Sequence, residues 1–142
     1  MLCEHAECQL KRTRWLQSMK DSELREDELK NLLESGYRLK WTDHLICREE
    51  QRCVSAKEAD QVLHSGFCIR FVQFEHTEYG RTSEWLWMGY SKIGVGLYRP
   101  LHLALLVNGN APIVTVGTVY DPSRTPELWD ETYTIRQCWQ AK

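Results

Sequence analysis

With 142 residues, 42% of them hydrophobic and 11% aromatic, the chain has enough apolar mass for one globular core and too little for two. A net charge of -2 excludes a surface-wide field for nucleic acid, so any such binding needs a local patch. No apolar run approaches the roughly 18 residues of a membrane span, and the opening MLCEHAECQLKR lacks the apolar centre of a signal peptide, so a cytoplasmic protein without membrane contact is expected.

Residues 1–36 mix acids and bases, with Leu24, Leu32 and Leu33 at helical intervals, and predict two amphipathic helices. Asp21 is the expected N-cap of the second, Glu26 and Lys30 are spaced i,i+4, and Gly36 suits the stop. This segment reads as a helical extension outside the core, with the main domain running over 37–142. Thr42-Asp43 predicts a helix through Arg52, and Ser55-Ala56-Lys57-Glu58 spells a capping box for another that ends near Gly66.

From Phe67 the period becomes two. Phe67, Ile69 and Phe71 alternate with Cys68, Arg70 and Val72, and Trp85 and Trp87 alternate with Leu86 and Met88. Arg99–Pro122 supplies two more strands joined at Asn108-Gly109. A three-residue loop there would pair Val107 with Ala111 and His102 with Val116, leaving Thr118 and Tyr120 on the face of His102, whereas a two-residue turn would put them on the opposite face. Helices followed by a meander define an α+β protein, with N-terminal helices packed on one face of a mainly antiparallel sheet of four to five strands.

Six cysteines without a C-x-x-C pair read as reduced thiols. Cys3, His5 and Cys8 offer three ligands where a structural zinc site needs four, so no metal and no other cofactor is expected. His44, Arg48 and Arg52 follow at steps of four on one helical face, where they serve either as solvated charges or as a basic site with an imidazole. His102 interrupts an apolar strand; buried, it needs a hydroxyl or carbonyl partner, and Thr118 and Tyr120 are the candidates.

The series His44-x3-Arg48-x3-Arg52, the segment EADQVLHSG, the strand RPLHLAL, and VTVGTVYDP followed by Trp129 and Arg136 together resemble the domain of unknown function 4258 family. The match covers about Tyr37 to Gln137, with Tyr98 standing where the family has a glycine before Arg-Pro. The family is similar to the RelE-like toxin fold, in which basic residues on the sheet cut messenger RNA. The resemblance therefore implies a toxin-like ribonuclease acting on mRNA or at the ribosome, an antitoxin partner, and no DNA.

Metal-independent cleavage needs an acid, a base and cations for the phosphorane. His44 and His102 are the candidate proton-transfer pair, because imidazole titrates near working pH, with Tyr120 as an alternative acid or an orienting hydroxyl. Arg48, Arg52, Arg99 and Arg136 are the candidate phosphate ligands. The competing reading is a non-catalytic interaction module that binds an acidic partner segment, in which His102 only organises the sheet.

Overall fold

Between Ala6 and Glu34 the chain contains neither glycine nor proline, and it forms one continuous helix, α1 (Ala6–Glu34). The two helices expected here are therefore one, and Asp21 sits within it rather than capping a second. The hydroxyls of Ser18 and Ser22 turn back onto the carbonyls of Trp15 and Met19, which keeps these cap-prone residues inside the helix. The expected Glu26–Lys30 pair forms, at 3.5 Å.

The computed structural model describes residues 3–34, 38–41, 54, 56–77, 80–108 and 113–139. After α1 come β1 (Arg38–Trp41), α2 (Ala56–Ser65), β2 (Phe67–Thr77), β3 (Gly80–Gly94), β4 (Leu97–Asn108) and β5 (Ile113–Tyr120), followed by two short 3-10 turns, Pro122–Arg124 and Pro126–Leu128. The helix expected over Thr42–Arg52, the Ser55 cap and the Gly36 stop lie outside the described residues.

The strands form a five-stranded sheet in the order β1-β5-β4-β3-β2, with β1 parallel to β5 and every other pair antiparallel. This is the expected α+β arrangement of helices packed on a mainly antiparallel sheet. β1 was not foreseen, since four residues are too short to show a period.

Alternation along β4 sorts the two faces. Leu101, Leu103, Leu105 and Val107 are buried on one, against Val62 and Leu63 of α2 and Leu29 and Leu33 of α1. The segment expected to stand outside the core thus contributes to it. Gly66 ends α2 where the backbone meets β3, and a Cβ there would sit 2.3 Å from the Met88 carbonyl oxygen, so only glycine fits this approach.

The ladders slip at four places among the described strands, and two of these slips decide which side chains share a face. At Cys68–Arg70 the ladder slips, so Cys68 and Phe71 join the helical face while Ile69 joins the opposite one. The uninterrupted apolar face expected from Phe67 to Phe71 is accordingly broken, and Phe67 is exposed.

The second slip corrects the β4–β5 register. Asn108 pairs with Ile113 and Leu105 with Val116, but beyond Gly117 the pairs become Ala104–Thr118 and His102–Tyr120. His102 therefore opposes Tyr120 and not Val116. With Asn108 paired to Ile113, the connection between the strands is longer than either the two-residue or the three-residue turn. The extra residue, Gly117, then restores the parity that places Thr118 and Tyr120 on the His102 face.

Candidate functional site

The face opposite α2 carries a second cluster, in which Trp15, Ile69, Met88 and Trp129 are buried and Tyr120, Leu128, Tyr133 and Trp139 pack against them. The first half of α1 reaches this face through Trp15, whose indole N–H donates to the Thr134 carbonyl at 2.9 Å and whose ring meets Trp129 edge-on at 5.6 Å. Residues 121–139 form the rest of the cover.

His102 lies at the centre with no exposed surface. Its Nε2 is 2.7 Å from the Tyr133 carbonyl oxygen and its Nδ1 is 3.1 Å from the Tyr120 hydroxyl. A carbonyl only accepts, so Nε2 carries the proton; Nδ1 is then bare and accepts from the tyrosine O–H. Trp129 stands edge-on to the ring at 4.5 Å. Burial pushes the imidazole from 6.5 down to about 4, although the Tyr133 carbonyl and the Asp121 carboxylate favour its charged form.

Tyr133, which supplies that carbonyl, has φ of 60°, a left-handed conformation uncommon for a bulky side chain. The turn around it is held by Asp130, whose Oδ1 accepts from the Thr134 and Ile135 amides and whose own N–H donates to the Ile135 carbonyl. His102 thus clamps the sheet to the C-terminal segment.

Beside the clamp opens a pocket of about 400 Å³, lined by Thr118, Tyr120, Asp121, Arg124, Thr125, Leu128, Trp129 and Arg136. Asp121 caps the first 3-10 turn by accepting from the Ser123 amide at 2.8 Å, and this turn carries Arg124 to the rim. Arg136 lies over the Trp139 ring at 5.3 Å and donates through Nε to the Cys138 carbonyl, which fixes the guanidinium at the wall. Neither arginine makes an ion pair with a described residue. Two cations, one carboxylate and a rim of hydroxyls can accept an anionic group by charge-assisted hydrogen bonds.

Of the residues singled out from sequence, the structure brings together Tyr120, Arg136 and, behind the pocket wall, His102. Arg99 is elsewhere. It projects toward α2, where its Nε and Nη2 grip the Glu58 carboxylate at 2.9 Å each, and Ser91 donates to the same carboxylate. His44, Arg48 and Arg52 lie outside the described residues. Arg124, Asp121 and Thr125 were missed, although Asp121-Pro122 is a turn-opening pair that marks where Arg124 would be presented.

The Cys68 thiol is buried, which pushes its pKa up to about 12, and it is unsuited to nucleophilic chemistry. No helix among the described residues is long and apolar enough to cross a membrane. No protein-family model, no curated protein and no solved structure matches the chain.

Proposed function

We propose that the chain is a toxin-like RNA-binding protein of the interferase type, whose pocket seats an RNA phosphate on Arg124 and Arg136. The observation that carries this reading is the pairing of two guanidiniums, unmatched by described carboxylates, with a tyrosine in one cleft of about 400 Å³. Cleavage by attack of the ribose 2′-hydroxyl needs charge stabilisation at the phosphorane, which the arginines supply, and an acceptor that orients the attacking hydroxyl, for which the Tyr120 oxygen, its own proton donated to His102, lines the cleft. His102 leaves the list of proton-transfer groups: both ring nitrogens are engaged and the ring is held neutral. Its role becomes the positioning of Tyr120.

A second reading rests on Asp121, which shares the pocket, and on the net charge of -2: both repel anions, and repel the densely charged RNA backbone more than an acidic protein segment such as an antitoxin tail, whose sparser carboxylates can pair singly with Arg124 and Arg136. Fluorescence anisotropy with a labelled single-stranded RNA separates the two. Under the RNA reading, Arg136→Ala weakens binding about tenfold, roughly 1.4 kcal/mol, and flattens the salt dependence by about one unit of slope. Tyr120→Phe then slows cleavage more than binding. Unchanged RNA affinity in Arg136→Ala, with loss of binding to a polyglutamate peptide, rejects RNA in favour of the acidic segment.

A further inference from the structure

The two ends of the described chain meet at a group of thiols. Cys3 precedes α1, Cys8 lies in its first turn, and Cys138 approaches from the last described segment. Their sulfurs all lie within 4.8 Å of one another, Cys8 being fully buried and the other two partly so. No disulfide joins them. His5 brings Nδ1 to 3.2 Å from the Cys3 sulfur.

One backbone donor faces the cluster. The Trp139 N–H donates to the Cys8 sulfur at 3.3 Å, a bond of the kind that orients metal-bound cysteine. Arg12 reaches both ends of the chain, donating through Nη2 to the Cys3 carbonyl at 2.7 Å and to the Gln137 carbonyl at 3.2 Å, so that a cation stands beside the cluster. These two segments, far apart in sequence, are thereby held in register with each other.

The donor set selects the metal. Three sulfurs and an imidazole nitrogen match borderline-soft Zn²⁺ and not the oxygen-seeking Mg²⁺ or Ca²⁺. Zinc–sulfur bonds of about 2.3 Å in a tetrahedron put the sulfurs about 3.8 Å apart, so contraction by about 1 Å brings the three sulfurs to ligand distance, while His5, which stands beside Cys3 but outside the three-sulfur group, would turn in to complete the site. Three cysteines also leave one unpaired in any disulfide scheme, whereas a metal uses all of them.

We propose that Cys3, Cys8 and Cys138, with His5 as fourth ligand, form a structural zinc site that fastens the start of α1 to the segment around Cys138 over the second face of the sheet. Binding exchanges three thiol protons for Zn²⁺, and the resulting centre carries one negative charge, set beside Arg12. All four positions are filled by protein, so the ion stabilises the fold and takes no part in chemistry at the pocket. The fourth ligand that the sequence does not place beside Cys3, His5 and Cys8 would be Cys138, which is adjacent only in space.

The test uses the full chain purified without a histidine tag under reducing conditions, with metal content read by mass spectrometry. Wild type is expected to hold one zinc per chain, Cys8→Ser and Cys138→Ser to lose it, and His5→Cys to keep it. Cobalt substitution should give thiolate-to-metal charge-transfer bands and the intense visible bands of a tetrahedral ion, the latter shifted in His5→Ala. If the serine variants fail to fold, the wild type alone decides: stripped with a chelator, it should regain a higher melting temperature on adding one equivalent of Zn²⁺. Folded wild type that holds no zinc, takes up no Co²⁺ and shows no such shift would overturn the site. So would a native disulfide between any two of the three cysteines, seen as a two-dalton loss by intact mass.

Discussion

At residue scale the chemistry turns on one imidazole. His102 is neutral in the fold because burial outweighs the carbonyl and carboxylate that favour its charged form. The unfolded chain protonates near 6.5 and the folded one near 4. Above pH 6.5 neither form is charged, and the contribution of the clamp is fully present. As the pH falls from 6.5 to 4 the unfolded chain takes up a proton that the fold refuses, so stability is lost, and below 4 the loss levels off. The interval corresponds to roughly 3 kcal/mol at 1.36 kcal/mol per unit. Denaturant unfolding of wild type and His102→Gln across this range measures it: the wild-type curve should fall more steeply, and parallel curves would show that the ring is already accessible to protons.

At the scale of elements, α1 links the two layers. Its length, about 43 Å for 29 residues, lets Trp15 pack with the C-terminal segment while Leu29 and Leu33 pack under the helical face. Between them Glu26 accepts the Cys68 backbone N–H at 2.7 Å, satisfying a donor of the outermost strand at its bulge. Leu29→Ala should therefore cost about 2–5 kcal/mol, as expected of a fully buried leucine, whereas Leu10→Ala, at an exposed position, should change stability by less than about 0.5 kcal/mol. Equilibrium unfolding of both variants checks this, and a Leu29→Ala cost as small as that of Leu10→Ala would return α1 to the status of an extension. The capping signal at Asp21 misled because a local preference lost to a continuous seam of tertiary contacts. Mean hydrophobic spacing along α1 shows no single face, since different stretches bury different sides.

For the whole molecule, the class was legible because apolar periods change from helical to alternating at Phe67, and because β4 declares its buried face through Leu101, Leu103 and Leu105. Register was not legible. One extra residue at Gly117 and one at Ile69 decide which side chains share a face, and a bulge leaves no mark on an alternating pattern. The candidate site was half legible: the environment of His102 was foreseen through Tyr120, but the Tyr133 carbonyl comes from an irregular segment with no period to read. Arg99 resembled a phosphate ligand only until its carboxylate, Glu58, was brought to it by α2. The thiol cluster was hidden for the same reason, since Cys138 meets Cys3 and Cys8 only after the sheet has closed.

The central claim is that His102 is a fixed, neutral clamp that shapes the pocket beside it and does not exchange protons with a substrate. Nitrogen-15 NMR of the imidazole over a pH titration tests it most directly, because the two ring nitrogens report protonation separately. The account predicts a protonated Nε2 and a bare Nδ1 from neutral pH down to about 4, with a Tyr120→Phe variant shifting Nδ1 alone. A ring that titrates near its free value of about 6.5, or one in the opposite tautomer, would contradict it and restore His102 as a proton-transfer group.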